Sequence, residues 1–165
     1  MTEQNAQTWL AQTRELAEQG DPTALMNLGL AHWHGRVVPR DVDKSISLIQ
    51  ASEEKLGEPA WVERLRILCF ENDPRIEKAF EERMPHKNGM ACFMYGQYLK
   101  SINPAKAIEV YKLGADSGHY GCETQYHLQT HKGFRSILGL PKLLWIFARA
   151  LRAGTRDPDD VNVKV

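Results

Sequence analysis

Residues 20–57 read GDPTALMNLGLAHWHGRVVPRDVDKSISLIQASEEKLG, and the reading of the whole chain starts from this stretch. Its first half, Pro22 to His34, carries Ala24, Leu25, Leu28 and then Ala31 or His32. Steps of three and four place these side chains on one helical face. Asp21 supplies an acidic N-cap, and Pro22 takes the first helical position,. Gly35 ends this helix. Asp41 opens a second one, with Ile46, Ile49 and Leu56 among its apolar positions, and Gly57 closes it. A two-helix hairpin of this size cannot bury its own apolar face, so it needs similar neighbours.

The rest of the chain supplies them. New segments begin after Gly20, Gly57, Gly89 and Gly118, and Gly154 closes the last, at intervals of 37, 32, 29 and 36 residues. A period in the thirties marks a two-helix solenoid. Blocks 20–35 and 118–133 both run for sixteen residues between glycines, with Cys122 in the place of Ala24 and Tyr126 in that of Leu28. In the third segment Ala91 matches Ala24, and Tyr95-Gly96 matches Leu28-Gly29. A glycine inside a helix costs about 1 kcal/mol against alanine. Gly29 and Gly96 therefore predict close approach of a second helix.

The pattern Ala24-x-x-x-Leu28-Gly29, followed by Gly35, Asp41 and Lys44, resembles the Sel1-like repeat. So does the stretch from Asn103 to Gly118, NPAKAIEVYKLGADSG, which is similar to the family's second helix. Leu16-Ala17-Glu18-Gln19-Gly20 looks like the end of one more such helix. The resemblance spans about residues 10–154. It is strong in the first and third copies and weak in the second, where Leu65-Arg66 stands in place of Leu-Gly. It implies an all-α, right-handed α-solenoid of stacked helix-turn-helix repeats with about nine helices. The expected layout is a capping helix at 3–19, repeats at about 21–57, 58–89, 90–118 and 119–154, and a polar tail at 155–165.

Several local expectations follow. Trp9, Leu10, Thr13, Leu16 and Ala17 form the apolar stripe of the capping helix. Val37 and Val38 fold back onto the first hairpin. Ile76, Ala79, Phe80 and Met84 form the buried stripe of a short helix that ends by Gly89. The last helix, 141–153, carries Leu144, Trp145, Phe147, Ala148 and Leu151, and Trp145, Ile146 and Phe147 make it a capping surface or a dimer contact.

Composition narrows the function. The chain of 165 residues fits one domain and carries 21 basic and 21 acidic residues. That balance argues against nonspecific binding to nucleic acid or to an acidic membrane. The N-terminal segment has no apolar signal core, and no apolar run is long enough to span a bilayer. Cys69, Cys92 and Cys122 are odd in number and scattered, which fits reduced core residues in a cytoplasmic protein,.

Three kinds of chemistry compete with plain packing. His127 and His131 lie four apart, as metal ligands on one helical face do, but no further ligand completes the set,. His32, by the resemblance, takes the place of a buried tyrosine. Cys122 lies near His119 at the start of a helix, yet it occupies the small, buried Ala24 position, which favours packing over a nucleophile. Glu53, Glu54, Glu81 and Glu82 read as solvated helix faces. No catalytic residue, cofactor or metal is assigned. The resemblance implies a protein–protein interaction module that binds a protein partner in a concave groove lined by first helices. Asn27, Trp33, Glu63, Arg66, Gln97 and Tyr98 are the candidate groove residues, although Trp33 serves equally well as a cover for the loop at 36–40. An immunity or antitoxin-like protein that neutralises a bacterial toxin is the alternative, and an enzyme using the Cys/His pairs is the third reading. Oligomeric state is left open.

Overall fold

The computed structural model describes residues 3–83, 88–130, 141, 144–149 and 151. Every regular element among them is an α-helix, as the all-α reading expects. In chain order these are α1 (Glu3–Glu18), α2 (Pro22–His34), α3 (Val42–Leu56), α4 (Glu58–Phe70), α5 (Arg75–Glu81), α6 (Gly89–Ile102), α7 (Pro104–Asp116) and α8 (Tyr120–Thr130). Residues 144–149 are helical as well. The chain divides into two compact units, Met1–Ile67 and Leu68–Val165, with the division falling inside α4. Met84, His131 and the tail 155–165 lie outside the described residues.

In the first unit α1 packs on α2, and α2 on α3. In the second, α6 packs on α5, α7 and α8, and α7 on α8. The hairpins α2–α3 and α6–α7 share their local chemistry. Asp21 Oδ1 accepts the N–H of Ala24 at 2.7 Å, and Asn88 Oδ1 accepts that of Ala91 at 2.8 Å. The second helices open alike: Asp41 Oδ1 takes the N–H of Lys44 at 2.9 Å, and Asn103 Oδ1 that of Lys106 at 3.1 Å. Each cap satisfies a helix N–H that would otherwise lack a partner, worth about 1 kcal/mol.

Behind the caps, Ala24 and Leu28 are buried in α2, as Ala91 and Tyr95 are in α6. The two mid-helix glycines then admit the second helix of each hairpin. A Cβ on Gly29 would stand 2.7 Å from Ile49 Cγ1 and 3.0 Å from Ser45 O; one on Gly96 would stand 2.5 Å from Tyr111 Cε1. Close approach is thus the reason for both glycines. Val38 is buried and Val37 half-buried, as expected. The imidazole of His32, also buried, donates from Nδ1 to Pro39 O at 3.3 Å, fixing the same loop to α2.

The short helix α5 ends before Gly89, as expected; Gly89 itself is buried and opens α6, and a side chain there would run into His119. One local expectation needs correction. Leu16 does not join the buried stripe of α1: it is exposed, while Thr13 is buried and Trp9, Leu10 and Ala17 are half-buried. The buried face of α1 is therefore narrower than its apolar pattern. At the far end of the described chain Ile146 is buried, whereas Leu144, Trp145, Phe147 and Leu151 are exposed.

Candidate functional site

The first unit gathers three of the candidate residues. Glu63 and Arg66 lie one turn apart on α4, and Arg66 donates from Nη2 and Nε to Glu63 Oε2 at 2.5 and 2.8 Å. This pair fixes the direction of the guanidinium, whose central carbon lies 4.7 Å from the ring centroid of Trp33 on α2. The Trp33 ring also meets the His34 ring at 4.7 Å between centroids. All three candidate side chains are half-buried. The result is an amphipathic patch: an indole stacked on a guanidinium that is itself neutralised by a carboxylate.

Asn27 is not part of that cluster. It lines a separate hollow of about 320 Å³ with Trp9, Leu30, Ala31, His34 and Val37. Gln97 and Tyr98 lie on α6 in the second unit, both half-buried. The Tyr98 ring stacks near Tyr95, 6.3 Å between centroids and 14° between planes. Tyr95 itself is core, as its spacing predicts. Its hydroxyl donates to Glu77 Oε1 at 3.3 Å, and Lys106 Nζ donates to the same oxygen at 2.5 Å. The Lys106 ammonium holds the Glu77 carboxyl below its ordinary range.

The cysteine and histidine that suggested catalysis are arranged as a helix cap. His119 Nδ1 accepts the backbone N–H of Cys122 at 3.2 Å, so the imidazole faces the main chain. The Cys122 thiol points elsewhere and donates to Gly89 O at 3.4 Å. Both side chains are buried. Burial pushes the Cys122 thiol well up and Cys92 up to about 11, which keeps both protonated at neutral pH,. Burial also lowers His119 to about 4, leaving it neutral. All three cysteines are free thiols, and no cluster of three or more metal-binding side chains occurs among the described residues.

Glu53 corrects a further expectation. It is not a solvated glutamate; it is buried on α3 and paired with Arg64 of α4. The Nε–Oε1 and Nη2–Oε2 distances are 2.5 and 3.1 Å, with both side chains 7 % exposed. The sequence offered little sign of this bidentate pair, since its partners are eleven residues apart on different helices. Glu54, Glu81 and Glu82 are exposed, as expected. No helix among the described residues is long and apolar enough to cross a membrane. In comparisons with known proteins, no family model, no curated protein and no solved structure matches this chain.

Proposed function

We propose that the chain is a Sel1-like, right-handed α-solenoid that acts as a protein–protein interaction module, an adaptor or regulator working in the cytoplasm without a cofactor. Its first helices hold a segment of a protein partner. The observation that carries this reading is the Trp33–Arg66–Glu63 patch: tryptophan and arginine are the side chains that most often dominate binding energy at interfaces. An arginine already oriented by Glu63 loses little conformational freedom when a partner docks. The matching caps and glycines of the α2–α3 and α6–α7 hairpins support the repeat reading, since each hairpin needs a neighbour to cover its apolar face.

The test is affinity capture from the native host's lysate with the purified protein, alongside Trp33→Ala, Arg66→Ala and Tyr98→Ala. Glu54→Ala serves as an exposed control on α3, and thermal melts establish that each variant is folded. The expected result is a partner retained by the wild type and the control and depleted by Trp33→Ala or Arg66→Ala. Capture that is equal in every folded variant would overturn the reading.

A further inference from the structure

One helical segment of the second unit is held from one side. Residues 144–149 and 151 are helical. Ile146 is buried, and Arg149 pairs with Glu123 of α8 and lies 4.7 Å from the ring centroid of Tyr120. These contacts seat the segment against α8. Facing the other way, Leu144, Phe147 and Leu151 are 68, 66 and 59 % exposed, and Ala148 is exposed with them. At about 100° per residue these four share one face, roughly opposite Ile146. Trp145, 56 % exposed, flanks that face.

The order of the four residues selects what covers them. Leu144, Phe147, Ala148 and Leu151 stand at steps of three, one and three, which read the same from either end. An antiparallel copy crossing midway between Phe147 and Ala148 therefore sets each Leu144 on Leu151 of the other copy. It also sets each Phe147 over the small Ala148 of the other copy. Leucine meets leucine and large meets small, as a self-complementary two-fold contact requires. The area fits as well. The exposed parts of Leu144, Trp145, Phe147 and Leu151 present on the order of 500 Å² per copy. A pair of copies then buries about 1,000 Å², the lower limit for a specific interface. Charge points away from a lipid surface, since helices that lie on lipid offer basic groups to the headgroups. The guanidinium of Arg149 is already engaged by Glu123, Tyr120 and Trp145.

We propose that this face pairs with itself: two copies of the chain associate through an antiparallel, two-fold contact of residues 144–151. The contact is small and apolar, so the dimer is reversible and little affected by salt. It lies on the second unit, whereas the Trp33–Arg66–Glu63 patch lies on the first, and neither reading rests on the other.

Sedimentation velocity on the full chain, from about 1 μM to about 0.5 mM, is the test. The expected result is a monomer–dimer equilibrium within that range. Phe147→Asp and Leu144→Lys should each weaken it at least about tenfold. In the double variant Leu144→Lys/Leu151→Asp the antiparallel register sets opposite charges against each other. Association should then return and, unlike that of the wild type, fall with added salt. All three positions are exposed, so each variant should melt like the wild type. A monomer throughout the range overturns the proposal. So does a dimer that Phe147→Asp leaves intact, or a double variant that associates no better than Leu144→Lys alone. A monomer that binds phosphatidylcholine vesicles or a captured protein, and loses that binding with Phe147→Asp, assigns the face to lipid or to that protein and equally overturns self-pairing.

Discussion

In the α2–α3 hairpin the mid-helix glycine faces Ile49; in α6–α7 its counterpart faces the ring of Tyr111. The caps, the buried alanines and the glycines match, yet the filling differs in kind. The first unit uses an aliphatic side chain there and, nearby, a buried ion pair between Glu53 and Arg64. The second uses an aromatic ring together with the buried thiols of Cys92 and Cys122 and the imidazole of His119. Each unit leaves buried polar atoms without a hydrogen-bond partner among the described residues: Ser45 Oγ in the first, Tyr111 Oη and His119 Nε2 in the second. The same backbone device can therefore be closed by quite different chemistry, and each choice gives its unit a distinct vulnerability.

The largest expected effect is at the ion pair. Arg64→Met should destabilise the protein by about 3–5 kcal/mol, because it leaves the Glu53 carboxylate buried without its charge partner. Adding Glu53→Leu should restore most of that loss in chemical denaturation. A loss well under 1 kcal/mol for the single variant would mean that Glu53 is not held in a dry site.

The two glycines sharpen the comparison directly. Gly96→Ala should cost about 1–3 kcal/mol through overpacking, since its three nearest neighbours are all atoms of one rigid ring,. Gly29→Ala should cost a similar amount, because Ile49 Cγ1, at 2.7 Å, is fixed at χ1 in its helix and Ser45 O, at 3.0 Å, is main chain,. Tyr111→Leu should relieve part of the Gly96→Ala penalty but none of the Gly29→Ala penalty. No relief at Gly96 would show that the Tyr111 ring is not what excludes a side chain there.

Acid should act through the second unit. His119 is lowered from 6.5 to about 4, so the unfolded chain takes up this proton first as the pH falls. Its contribution is fully present above about pH 6.5, is lost as the pH falls toward about 4, and changes no further below that. Between about pH 7.5 and 5 the loss is about 2 kcal/mol. His119→Asn keeps a capping oxygen and should flatten this part of the pH profile. An unchanged slope would assign the acid sensitivity to other groups.

The smallest effect on stability belongs to the candidate site. Arg66→Ala removes a half-exposed pair and a cation–π contact, worth under about 1 kcal/mol together. If the patch binds a partner, the loss of affinity should exceed that loss of stability, and a melt compared with a binding titration separates the two.

The sequence alone determined the all-helical character, the helix starts at Asp21 and Asp41 and the need for close packing at Gly29 and Gly96, but not the cap at Asn88. These are local matters: an Asx side chain reaches the N–H three residues on, and apolar steps of three and four define a face. It also identified Trp33, Glu63 and Arg66 as candidates, but not that they form one cluster apart from Asn27. Only the tertiary structure decided that Glu53 is buried, that Gly89 opens α6 against His119, and that the Cys122 thiol turns away from the imidazole beside it. Each of these depends on a side chain supplied by another helix, or on how a neighbouring helix directs the thiol. Burial, pairing and proton affinity are set by neighbours in space, and no periodicity along the chain encodes who those neighbours are.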